Sequence, residues 1–167
     1  YQVRKRLDTL TESVCPLPNN SMEPAPKRML FISMDWYRTK DPRTPLAMAS
    51  IEAYFRVHQQ EPVESEFISF DLAHEEFDTY QVIETVLLHQ PDFIAWGVYI
   101  WNETETQQLL QAIVQHRLTA QVILGCPQVT FAEQGLDKDY PRADYFIKGA
   151  GEQPFTWLID HLAACKT

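Results

Sequence analysis

A chain of 167 residues with 45% hydrophobic and 12% aromatic content has room for one domain with a sizeable core. A formal charge of -9, with no basic run beyond Arg4-Lys5-Arg6, repels phosphate backbones and disfavours nucleic-acid binding. No stretch approaches the roughly 18 apolar residues of a membrane span, no secretory leader is visible, and the widely spaced Cys15, Cys126 and Cys165 suit neither a disulfide framework nor CxxC metal spacing. These features lead us to expect a soluble cytoplasmic protein with no membrane partner.

The sequence opens on Tyr1 rather than Met, which reads as a processed end or the edge of a longer chain. Residues 1–12 could form a short helix, and residues 13–26 carry four prolines without periodicity, as an extended linker would. The expected organisation is thus an N-terminal extension over 1–26 and one domain over 27–167.

From Lys27 the pattern alternates. Met29-Leu-Phe-Ile-Ser-Met34 is a continuous apolar run of the kind buried in parallel sheets. A polar loop, 35–44, leads to Pro45, suited to the first turn of a helix that runs to about His58. Val63 to Phe70 alternates apolar and polar residues, as an edge strand does. Helical spacing follows from Phe77 to His89, then a third strand over Asp92–Tyr99 and a helix over Glu103–His116. Gln121–Leu124 and Tyr145–Ile147 read as the last strands, with a closing helix over Glu152–Ala164.

Repeated strand–helix–strand units imply parallel strands joined by right-handed crossovers. The fold class expected is α/β, a flavodoxin-like (Rossmann-like) three-layer sandwich with a five-stranded parallel sheet. Ligands in such sheets bind beyond the carboxyl ends of the strands. That rule nominates the loops 35–45, 99–103, 125–131 and 148–153.

Glycine is scarce, with five in the chain, yet Gly97, Gly125, Gly149 and Gly151 all fall in or after strands on that edge. Each alone reads as an ordinary turn; together they favour a ligand crevice. Their spacing fits neither GxGxxG nor a P-loop. Tyr37, Tyr99 and Trp101 would flank the crevice, whereas Trp96 reads as core. His58, His89, His116 and His161 read as helix or surface residues, and only His74 could approach the edge; none pairs at i, i+4 spacing, so no protein-only metal site is expected. Cys126 is the one candidate thiol, with a small packed cysteine as its plainer role.

Two segments carry a resemblance. Val122-Ile-Leu-Gly-Cys-Pro-Gln-Val-Thr-Phe131 resembles the V-x-G-G-P-x-V-T-x segment of cobalamin-binding domains that precede radical S-adenosylmethionine domains. Ala143-Asp-Tyr-Phe-Ile-Lys-Gly-Ala-Gly-Glu-Gln-Pro-Phe155 is similar to their x-D-Y-x-x-x-G-E-G-E-x-x-F segment. Arg43–Tyr54 is similar to their first helix, and Pro91–Tyr99 to their third strand, so the likeness runs from about Lys27 to Ala164. It implies cobalamin as cofactor, held by Asp35, Trp36, Tyr37, Pro45, Leu46, Tyr99, Trp101, Gly125, Cys126, Pro127, Val129, Thr130, Gly149, Ala150, Gly151 and Glu152.

The departures from that family are informative. Cys126 replaces the second glycine of the Gly-Gly-Pro turn, Ala150 the first glutamate of Gly-Glu-Gly-Glu, and Ala47 a glycine of the first helix; each narrows the crevice. Where classical cobalamin domains place Asp-x-His-x-x-Gly, this chain has Asp35-Trp-Tyr37-Arg-Thr-Lys40, so a bound corrinoid should lack a histidine lower ligand. The Cys-x-x-x-Cys-x-x-Cys of the partner radical domain is missing, so this sequence alone cannot cleave S-adenosylmethionine, and no catalytic residue is nominated. Three readings stay open. The chain could be a corrinoid carrier serving a radical S-adenosylmethionine protein, supplied in trans or by the same parent chain. It could be a cofactor-free Rossmann-like module that docks a partner protein. The third is a small hydrolase or transferase using Cys126.

Overall fold

The computed structural model describes residues 25–36, 45–73 and 77–165. The expectations for residues 1–24, for Tyr37 and the rest of 37–44, and for His74 lie outside the described residues.

The first strand, β1 (Lys27–Asp35), keeps six consecutive residues, Met29 to Met34, out of water. Such a run is what a strand covered by helices on both faces requires. Helix α1 (Leu46–His58) follows Pro45, which sits at the N-cap rather than inside the first turn; its carbonyl accepts from the Ala49 N–H at 3.0 Å. Strand β2 (Val63–Asp71) pairs along its whole length with β1, from Lys27 opposite Val63 to Asp35 opposite Asp71. Helix α2 (Thr79–His89) starts two residues later than Phe77, because the Asp78 carboxylate caps it by accepting from the Tyr80 N–H.

Strand β3 (Phe93–Gly97) is shorter than the expected 92–99. Beyond Gly97 the chain turns, and Tyr99 N–H donates to the side chain of Asn102 instead of to a neighbouring strand. Helix α3 (Glu103–Gln115) leads to β4 (Gln121–Gly125). Two short helices were not expected from periodicity: α4 (Cys126–Phe131), with Pro127 in its first turn, and α5 (Leu136–Asp139), entered through Gly135. A two-residue β5 (Tyr145–Phe146) and α6 (Glu152–Ala164) complete the chain.

All pairings are parallel and the order is β2-β1-β3-β4-β5, with β2 at the edge. The chain leaves β1 toward one side through α1 and returns past it through α2, so the switch point lies between β1 and β3. This is the flavodoxin-like sandwich expected from the alternation. One core lies under α2 and α3, built on Leu30, Ile32, Ile94, Trp96 and Leu109, with Trp96 at 1% exposure. The other lies under α1 and α6 and centres on Phe31, Phe55 and Phe155, whose ring centroids are 5.3 to 6.2 Å apart. Burying each of these rings contributes about 1.5–3 kcal/mol, and the edge-on contacts add to it. Among the described residues, no helix is long and apolar enough to cross a membrane.

Candidate functional site

The α1/α6 core is incomplete at its upper end. A cavity of about 400 Å³ opens there, between α1, the carboxyl ends of β3 and β4, the α4 turn and the start of α6. Ala95, Ile123 and Leu124 form its sheet side, Met48, Ile51 and Phe155 its helical walls, and Thr130, Gly149 and Glu152 its mouth. A larger depression of about 670 Å³ lies at the opposite, amino end of the sheet, around the Lys27–Asp92 salt bridge of 2.9 Å. The carboxyl edge is where parallel α/β sheets bind ligands, and there the chemically unusual residues collect.

Of the residues nominated from sequence, Tyr99, Gly125, Cys126, Pro127, Thr130, Gly149, Ala150, Gly151 and Glu152 line this cavity together. Asp35, Trp36, Pro45, Leu46 and Trp101 lie outside its lining. Val129 is placed elsewhere: it is fully buried in the α2/α3 core, because α4 turns that side chain under the sheet. Leu46 opens α1 with 79% of its surface exposed, and Trp36 follows β1 at 64%.

Side-chain bonds hold the mouth. Ser50 Oγ on α1 donates to Glu152 Oε1 on α6 at 3.0 Å, and the Gly149 N–H donates to Thr130 Oγ1 at 3.1 Å. The Lys148 ammonium donates to the Ala132 carbonyl and ties the same two segments. Two glycines shape the entry for different reasons. Gly149 has a φ of +81°, which side-chain-bearing residues adopt only with strain; at Gly151 an added Cβ would lie 2.9 Å from Ile51 Cδ1, so its absence lets α6 close on α1.

The loop after β3 builds a braced wall. Tyr99 stacks on Trp101 with centroids 4.4 Å apart and planes 12° from parallel. Trp101 Nε1 donates to Asp35 Oδ1 at 3.2 Å, while Ser33 Oγ donates to Asp35 Oδ2 at 2.9 Å. Asn102, 1% exposed, donates through Nδ2 to the Met34 and Gly97 carbonyls and accepts from Tyr99 N–H, knitting the ends of β1 and β3. Facing the cavity, the Tyr99 side chain and the Cys126 thiol lie side by side and interact. Burial raises the Tyr99 phenol, and the interaction with Cys126 and the charge of Asp35 raise it further. Burial also raises the Cys126 thiol, which the interaction with Tyr99 only partly offsets. A thiol pushed upward supplies less of the nucleophilic thiolate, which argues against the hydrolase reading.

Sequence reasoning missed Met48, Ile51 and Phe155, whose helical spacing is that of core residues. Their contribution to a cavity follows from what does not sit opposite them. It also missed Asn102, which reads as a helix N-cap yet spends its side chain on two strands. Among the described residues, no histidine lines the cavity. His58 lies against Tyr54 at a tilt, His161 stacks on Trp157, and His89 Nδ1 lies 2.7 Å from Glu66 Oε2. Among the described residues, no group of three or more His, Cys, Asp or Glu gathers as a metal site.

No protein-family model and no curated protein matches the sequence. Solved structures do. The cobalamin-dependent S-adenosylmethionine radical enzyme OxsB superposes in its apo form with a TM-score of 0.67 at 19% identity, and with aqua-cobalamin bound at 0.68 and 19%. Both matches cover 86% of this chain, which spans 19% and 20% of the OxsB chains. A cobalamin-binding protein from Desulfitobacterium hafniense DCB-2 superposes at 0.59 with 9% identity, over 81% of this chain and 58% of that one. At such identities the likeness is one of architecture: the chain has a flavodoxin-like fold shared with part of a cobalamin-dependent radical enzyme and with a cobalamin-binding protein.

Proposed function

We propose that this chain is a cobalamin-binding module that carries a corrinoid, without a histidine lower ligand, for a radical S-adenosylmethionine partner. The observation that carries the reading is the apolar cavity at the carboxyl edge, bounded by both glycine-bearing segments that resemble cobalamin domains. A cavity of about 150 Å³ takes a benzene ring. The 400 Å³ here therefore suits the flat two-ring base of a cobalamin nucleotide tail, though far too small for the corrin macrocycle. The residues present fit that division. Met48, Ile51, Ile123 and Phe155 would enclose the base away from water, Thr130 and Glu152 would meet the polar tail at the mouth, and the rim near Trp101 would face the macrocycle. When bound, the corrinoid supplies methyl-transfer chemistry; the protein orients it and excludes water. The sequence has no cysteine triplet for an iron–sulfur cluster, so reductive cleavage of S-adenosylmethionine falls to the partner.

The test is a visible spectrum of purified protein incubated with hydroxocobalamin or methylcobalamin and then desalted. Near-stoichiometric retention with a base-off spectrum supports carriage. No retained colour in folded protein overturns it and favours cofactor-free docking. That second reading draws on the apolar side chains left exposed on this side of the fold, Leu46, Ile100 and Phe131 at 79 to 81%.

A further inference from the structure

Cys126 occupies a backbone position made for glycine. Its φ is +73°, in the left-handed region, at a cost of order 1 kcal/mol or more for a residue with a Cβ. The side chain held there fills the inner corner of the cavity. A Cβ placed on Gly97 would lie 2.6 Å from Cys126 Sγ and 2.9 Å from Tyr99 Cε2, so thiol, ring and the Gly97 backbone are in close contact. The corner has little freedom to yield, because Tyr99 is stacked on Trp101, which Asp35 holds in turn.

We infer that Cys126 is the specificity-determining residue of the cavity, setting by steric bulk the size of lower base that a bound corrinoid can carry. The inference rests on the carrier reading and deepens it: the ligand class is base-bearing corrinoids, sorted by the volume of the base. Cys126→Gly relieves the backbone strain, removes the methylene and sulfur, and frees the Tyr99 ring to move outward. A difference of one or two methyl groups in an apolar pocket changes affinity by roughly tenfold or more.

The experiment measures affinities by absorbance titration for three corrinoids: cobinamide, which has no base, a benzimidazole corrinoid, and 5,6-dimethylbenzimidazole cobalamin. Cys126→Gly should tighten dimethylbenzimidazole binding relative to benzimidazole by roughly tenfold, and leave cobinamide affinity unchanged. Cys126→Ser, nearly equal in size, should keep the native ratio. Should the glycine variant not fold, Cys126→Ala should shift the ratio in the same direction by a smaller factor. An unchanged ratio in the glycine or alanine variant, with all three corrinoids still bound, overturns the size gate and leaves the carrier reading standing. A shift in the serine variant as large as in the glycine variant also overturns it, since sulfur chemistry rather than bulk would then be responsible. Failure of every folded variant and of the native chain to bind any corrinoid overturns both.

Discussion

The Tyr99 phenol and the Cys126 thiol are both raised by burial above their ordinary values of 10.0 and 9.0, so the folded chain holds these protons more tightly than the unfolded one. Groups shifted upward contribute stability that is complete below the unfolded value and is lost as pH rises toward the folded one. Stability should therefore be level around neutral pH and fall from about pH 9 upward. Tyr140, raised by burial and by its bond to Glu103, and Tyr145, raised by burial, add to the decline. Urea unfolding at stepped pH checks this, and the Tyr99→Phe/Cys126→Ser double variant should show a shallower fall. An equally steep fall in that variant would mean that the pair is not the source.

At the scale of elements, the turn between β5 and α6 separates two demands on glycine that look alike in sequence. Gly151→Val should destabilise by about 1–3 kcal/mol, because its side chain meets Ile51 where α6 packs on α1. Gly149→Ala should cost about 1 kcal/mol through φ alone, since nothing lies within 4 Å of its added Cβ. Paired with Ile51→Ala, the Gly151→Val penalty should shrink while the Gly149→Ala penalty stays the same. Denaturation of the double variants decides it, and equal coupling of both glycines to Ile51 would contradict the packing account. The same contrast explains why the glycine segments were easy to place on the carboxyl edge and hard to interpret singly. Composition locates a glycine, whereas its neighbours decide whether it serves a turn or a contact.

For the whole molecule, the alternation of apolar runs with helical spacing was enough to anticipate the parallel sheet and most of its elements, because burial on both faces leaves a continuous pattern such as Met29–Met34. Helices α4 and α5 escaped notice, being too short for periodicity; Pro127 and Gly135 were their only local signals. The order β2-β1-β3-β4-β5 was likewise beyond one sequence, apart from the edge character of β2, which its alternation betrayed. The cavity was half legible. Tyr99, Cys126, Gly149 and Glu152 were nominated by loop position and resemblance, while Met48, Ile51 and Phe155 look like any core-facing residues until the space opposite them is seen. Val129 shows the converse error that proximity in sequence invites, since one turn of α4 sends it to the other face of the sheet.

The edge strand has a colloidal consequence. Among the described residues the sheet pairs β2 with β1 and ends there, so β2 forms the edge to which another chain could add. Phe67, Ile68 and Phe70 pack their side chains against the two cores, while the exposed Glu64 and Glu66, with the overall charge of -9, oppose the approach of another chain by repulsion. The guard is therefore sensitive to salt, which screens repulsion between exposed charges. At high ionic strength the protein should scatter light and bind amyloid-type dyes sooner than at low ionic strength. Glu64→Gln, at an exposed position, should hasten that onset, and an onset unmoved by this change would place the sticking surface elsewhere.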